Sequence, residues 1–294
     1  MDKLLYLTFC VTNSLFYVLI KYLHLKNPQY IIYEIAAYVN IVSLSLMMPY
    51  LIKNFRHVIN GFACNLKIAV SAPSSLLKFV AISYISPKNA MVVSFLTPVA
   101  VTILSFVTLK EEFKASDLFT KYSWMLLSLC GVVVFIGADF TFSTFAYSLM
   151  MMHVLGKAFF HVFTKQLSKD RYLVLFYGIL YNCIFSVVMS ICHKPEGLNF
   201  SFVLNPWVIF IGIISVLCQF ALIQSYKISF KISSLQNLDY SRILFSSIAT
   251  YFLLSEPIKG REYLGIIMIA ISVLGSQKSN LKKKAYAILK KRHV

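Results

Sequence analysis

Two ionisable residues of opposite sign, Asp239 and Arg242, stand three positions apart inside an otherwise apolar run. On a helix that spacing puts them on one face, with Gln236 and Tyr240 close by. Two chemistries fit: an internal ion pair that neutralises both charges, or direct contact with a charged solute. His153, Lys157 and His161 recur every four residues and share a face in the same way. Metal ligation does not suit this trio, because the histidines lie two turns apart with a cationic lysine between them. A hydrogen bond at a helix interface accounts for His161. Lys157 and Lys78 each stand in the middle of an apolar run, where a cation can meet an anionic solute. Glu34 lies a few residues into another such run. It either snorkels to the outer interface or serves as an external gate or proton acceptor, and His153 is a second gating or coupling candidate. Asn13 and Tyr240 complete the set of candidate solute contacts.

The elements that must hold these residues are hydrophobic. Of the 294 residues 59% are hydrophobic and 13% charged, and the mean hydropathy is +0.74, outside the range of water-soluble domains. A helix crossing the hydrocarbon core needs roughly 20 apolar residues. Ten runs of about that length follow one another: 4–20, 30–48, 68–85, 90–109, 122–138, 145–163, 173–191, 207–226, 235–254 and 263–275. An all-α membrane protein of ten transmembrane helices is therefore expected, with the last run extending into the polar residues after it. An ionisable group at a helix centre costs about 2.5–3.5 kcal/mol to insert, so the five inside these runs call for a polar interior.

Charge sets the orientation. If the N-terminus is cytoplasmic, most basic residues fall inside, and only Lys21, Lys26, Lys88, Lys194, Lys259 and Arg261 fall outside. The positive-inside rule then places both termini in the cytoplasm. The segment 278–294 reads as a basic cytoplasmic tail, either an amphipathic stretch lying on anionic lipid or, in the preferred reading, a solvated stop signal. The net charge of +17 is scattered between apolar runs without forming a basic face, so no nucleic-acid partner is expected. The first run lacks a cleavage site and reads as a retained helix. No CxxC pair is present, and the six cysteines read as small apolar residues.

Shifting the chain by 144 positions lays Glu112 on Glu256, Ser128 on Ser272 and Gly131 on Gly275. This indicates two repeats, 1–138 and 139–277, of five helices each. An odd number of helices inverts the second copy, as in transporters whose halves enclose a midplane site. The segments AISYISPKNAMVVSFLTPVAVTILSFVTLKEEF and YFLLSEPIKGREYLGIIMIAISVLG each join a span to a Glu-bearing loop and a closing helix with Gly. In this they resemble the EamA-type repeat of the drug/metabolite transporter superfamily. VVSFLTPVAVTILSFVTLKEE and the DYSR region are most similar to the rickettsial branch that takes up S-adenosylmethionine. The sequence departs from the family pattern at Glu34, near where many relatives carry Arg, and at Arg242, which takes the repeat position of Pro98.

The resemblance implies a secondary transporter that moves a small polar metabolite, zwitterionic or anionic, across the bacterial inner membrane. S-adenosylmethionine is one candidate cargo, and export of a drug or amino acid is the alternative within the superfamily. A carboxylate would meet Lys78 or Lys157, and an amino or sulfonium group would meet Asp239. No HExxH, GxSxG or nucleotide-binding glycine loop is present, so neither an intramembrane enzyme nor a cofactor is expected. A non-transporting scaffold would carry a large soluble domain or long loops, and the sequence has neither. The partners expected are the metabolite and the lipid bilayer, with monomer and homodimer both open.

Overall fold

The computed structural model describes residues 1–30, 32–70, 74, 77, 81, 84–85, 92–110, 115–137, 143–167, 170–193, 200–255 and 259–292. Most of these are helical, and no strand occurs among them. Eleven α-helices run in chain order among the described residues: α1 (Asp2–Lys26), α2 (Ile32–Lys53), α3 (Phe55–Asn65), α4 (Thr97–Thr108), α5 (Ala115–Ile136), α6 (Thr144–Leu167), α7 (Arg171–His193), α8 (Pro206–Ile228), α9 (Gln236–Asp239), α10 (Ser241–Leu254) and α11 (Gly260–Arg292).

Local sequence accounts for several boundaries. Asn205 caps α8, its side chain accepting from Trp207 N at 2.9 Å, and Pro206 fills the first turn where no backbone donor is needed. Pro98 plays the same part at the start of α4. In α1, Thr8, Thr12 and Ser14 return their hydroxyls to carbonyls four residues back, so these polar groups are satisfied within an apolar helix.

Among the described residues four helices are long and apolar enough to cross a membrane: Asp2–Lys26, Glu34–Lys53, Arg171–Cys192 and Pro206–Ile228. Val92–Thr108 and Tyr122–Phe135 are shorter and apolar. Large apolar side chains such as Phe106, Phe210, Phe252 and Leu274 face outward. Together these features are compatible with a membrane protein.

Helix α1 packs against α8 and α10, α6 against α4, α2 against α7, and α5 against α11. The α5–α11 crossing is built on small residues. Ser128 Oγ donates to Ser272 Oγ at 2.7 Å, and Ser272 in turn donates to the carbonyl of Trp124. Gly131 lies against Met268 and Gly265, and Gly275 lies against Trp124.

The structure departs from the sequence expectations at three places. Leu235–Leu254 is divided at Tyr240 rather than continuous. In the fourth run a helical segment at 92–94 is followed by a turn at 95–96 before α4 begins. The connection after α2 contains α3, whose Val58 is buried against α7 while Phe55, Ile59 and Phe62 face outward. The last run extends, as α11, through the polar residues after it to Arg292. Most of the third run, with Lys78, lies outside the described residues, as do Glu112 and Glu256.

Candidate functional site

The chain between α8 and α10 changes its hydrogen bonding several times. α8 ends at Ile228, Ser229 is extended, Ile232–Ser234 forms a 3₁₀ turn, and the single turn α9 stops at Asp239. Tyr240 keeps right-handed helical angles, φ −64° and ψ −22°, yet the flanking bonds Leu238 N→Leu235 O and Ile243 N→Tyr240 O span three residues rather than four. The sequence QNLDYS adds side-chain donors to carbonyls of this stretch. Gln236 Nε2 donates to Ile232 O at 3.4 Å, and Ser241 Oγ donates to Leu238 O at 2.6 Å. The turn at Phe95 and Leu96 is also held by three-residue bonds, to Val92 O and Val93 O. The two interruptions meet, with the rings of Phe95 and Tyr240 stacked at 6.0 Å and 22°.

Asp239 is fully engaged at this junction. Its Oδ2 accepts from Arg242 Nη2, and its Oδ1 accepts from Tyr6 Oη at 3.2 Å. Arg242 Nε also reaches Asp239 O at 3.3 Å, and Arg242 O accepts from Ser14 Oγ at 2.8 Å. Cys10 Sγ points to Leu238 O at 3.4 Å. The carboxylate is sealed, with 3% of the Asp239 side chain exposed, whereas 24% of the Arg242 side chain is exposed. The guanidinium lies 5.7 Å over the ring of Phe95. A paired arginine that keeps an open edge can take a second anionic group, because its five donors form a fixed fork.

On α6, Lys157 is half-buried and lies over Phe160 at 5.8 Å. His161, one turn on, bonds to the hydroxyl of Tyr226, whose ring lies 5.9 Å from that of Tyr6. His153 bonds through Nδ1 to Ser74 O at 2.7 Å. The three residues of this face therefore have separate partners, and among the described residues no group of His, Cys, Asp or Glu has metal-ligand geometry.

Asp239, Arg242 and Tyr240 are thus brought together. Asn13 is next to Ser14 on α1, and its buried Oδ1 has no hydrogen-bond partner among the described residues. The same holds for Asn237 Oδ1 and Tyr240 Oη beside the Asp239 junction. Such orphaned acceptors and hydroxyls are costly unless water or a solute completes them. Glu34 and His153 do not join the cluster. The snorkelling reading of Glu34 is overturned, because the residue is 1% exposed and enclosed by the protein. Tyr6, Cys10 and Ser14 are the contacts the sequence reading missed. They recur every four residues and are all buried, a polar stripe on an apolar helix that would have found them.

No family model matches the chain, and no curated protein matches it. A solved structure described only as "Crystal structure of protein" is similar over 90% of this chain and 94% of its own length, with a TM-score of 0.66 and 13% sequence identity. At that identity the likeness concerns the fold alone.

Proposed function

We propose that the chain is a secondary transporter of the drug/metabolite type. It moves a small zwitterionic or anionic metabolite across the bacterial inner membrane by alternating access, with both termini cytoplasmic. In this reading ten spans form two five-helix repeats of opposite orientation. S-adenosylmethionine uptake is the candidate cargo drawn from the sequence resemblance.

The observation that carries the reading is the meeting of two interrupted helices at Phe95 and Tyr240, with a charged pair beside them. Interrupted backbone at membrane depth is tolerated where protein buries it or where it lines a solute cavity, and transporter sites use both features. The inverted repeat is supported by contacts that exchange under the 144-residue shift. Ser128–Ser272 maps onto itself, Gly131–Met268 onto Gly275–Trp124, and His153–Ser74 onto Phe9–Cys218. The interruption at Phe95 and Leu96 maps onto Asp239 and Tyr240 by the same shift.

The test is uptake of a labelled metabolite panel, including amino acids and S-adenosylmethionine, by cells expressing the chain. Accumulation of a zwitterion or organic anion is expected. Lys157→Ala removes that accumulation at normal membrane expression, because the anionic group then lacks its cation. Efflux from preloaded cells in place of uptake would turn the assignment to an exporter. The absence of any carrier-dependent flux in either direction would overturn it.

A further inference from the structure

We propose that Lys165 is a positioning residue for the solute site: from α6 it caps the C-terminal end of α8 and so fixes where the chain sets out towards Asp239. The part of Asp239 and Arg242 as solute contacts rests on the transporter reading, whereas the anchoring rests on geometry alone.

Lys165 extends the four-residue series of His153, Lys157 and His161 by one more turn of α6. Its ammonium donates to Tyr226 O at 2.6 Å and to Ser229 O. These carbonyls lie where α8 stops: Ile228 is its last residue, and Ser229 is extended, φ −70° and ψ 134°. The last carbonyls of a helix lack intrahelical partners and carry the negative end of its dipole, so a cation with several donors suits them. Neighbouring carbonyls are served locally. Ser225 O accepts from Ser229 N, Lys231 O from the hydroxyls of Ser229 and Ser234, and Ile232 O from Leu235 N and Gln236 Nε2. Lys165 brings its donors from a different helix.

Tyr226 is gripped twice. One turn before Lys165, His161 bonds to the Tyr226 hydroxyl, so α6 holds this residue by its phenol and by its carbonyl. The Tyr226 ring lies 5.9 Å from that of Tyr6, and Tyr6 donates to Asp239 Oδ1. Two routes therefore lead from α6 to the carboxylate, one through the ring pair and one along the chain from Ser229 through the 3₁₀ turn to α9. That chain changes its hydrogen bonding at nearly every turn, so its position depends on what holds its ends. α1 and α4 pack on α9 at the far end, and Lys165 fixes the near one. Without the cap the segment gains other arrangements, and Asp239 meets Tyr6 and Arg242 in only a fraction of them.

Hydrogen–deuterium exchange on the full chain in detergent micelles tests this. Lys165→Met keeps the stem and removes the donors, and should speed exchange about tenfold in peptides from 229–239 while leaving those from 178–190 of α7 unchanged. Lys165→Arg keeps a cation at the helix end and should hold the wild-type rate, and Lys165→Gln, with one neutral amide donor, should fall between. Phenylglyoxal reads the site itself: Arg242 should react faster in Lys165→Met, with the exposed Arg56 as internal standard. In uptake of labelled S-adenosylmethionine, Lys165→Met should raise KM about tenfold and keep Vmax per folded carrier, because only carriers with Asp239 in place bind. A lower melting temperature with wild-type exchange at 229–239, Arg242 reactivity and KM would make Lys165 a scaffold residue and overturn the proposal. Faster exchange with unchanged Arg242 reactivity and KM would leave a helix cap and overturn the positioning role. If exchange and Arg242 reactivity respond as stated while the wild-type chain takes up neither S-adenosylmethionine nor any other member of the panel, the anchor stands and the transporter reading fails.

Discussion

Ser128 and Ser272, 144 positions apart in the chain, place their hydroxyl oxygens 2.7 Å from one another at the crossing of α5 and α11. The crossing is close because glycines flank it. A Cβ added at Gly265 would lie 2.6 Å from Gly131 O, and one added at Gly131 would lie 3.0 Å from Gly265 O. Backbone cannot yield as a flexible side chain can. Gly131→Leu and Gly265→Leu should therefore each cost about 1–3 kcal/mol, read as a lower melting temperature in detergent. Gly260→Ala is the control, since a Cβ there meets nothing within 4 Å. Equal melting temperatures for all three would mean that the crossing is not a stabilising contact.

Tyr6→Phe removes the hydroxyl that donates to Asp239 Oδ1 and keeps the ring that packs on Phe9 and Tyr226. One buried carboxylate oxygen then loses its donor, at a cost of about 1–3 kcal/mol. Membrane insertion should be normal, with lower thermal stability and a changed KM for the transported solute. An unchanged melting temperature and KM would show that Tyr6 acts only through its ring.

The architecture was legible in the sequence to the extent that long apolar runs and a polar residue every few turns are legible. The runs at 4–20, 173–191 and 207–226 fall within α1, α7 and α8. Asp239 and Arg242 announced themselves through the cost of burying charge, and three-residue spacing was enough to pair them. Tyr6 did not stand out singly, because a tyrosine in an apolar helix is ordinary; only its four-residue spacing from Cys10 and Ser14 marks it before a carboxylate more than two hundred positions away is placed beside it. The interruption at Tyr240 was equally silent. The residues 235–254 suit a continuous helix, and only Ser241 and Gln236, whose side chains donate to the carbonyls of Leu238 and Ile232, mark the break.

The basic residues after Gly275 continue α11 to Arg292 without a helix break. If that end is held in the cytoplasm by its lysines, alkaline phosphatase fused after residue 294 should be inactive and a fluorescent protein fused there should be bright. Active phosphatase at that position would invert the orientation.

The final prediction separates the Asp239–Arg242 pair as scaffold from the pair as solute site. Asp239→Asn alone leaves the guanidinium without its carboxylate, and Arg242→Gln alone leaves a carboxylate that is 3% exposed without its cation. Either change breaks a buried pair, at a cost of about 3–5 kcal/mol, so each single variant should insert poorly or melt early. The double variant carries no stranded charge and should recover most of that stability, a coupling that a double-mutant cycle on melting temperatures measures directly. Transport divides the readings. A pair that only neutralises itself would return to full transport in the double variant. A pair whose members hold opposite ends of a zwitterion would give a stable, inserted and inactive protein, and this is the outcome expected, because Arg242 keeps an open edge and the neighbouring Asn237 and Tyr240 leave polar atoms unpartnered among the described residues. Wild-type uptake by the double variant would remove both residues from the solute site and leave Lys157 as the interior cation to examine next.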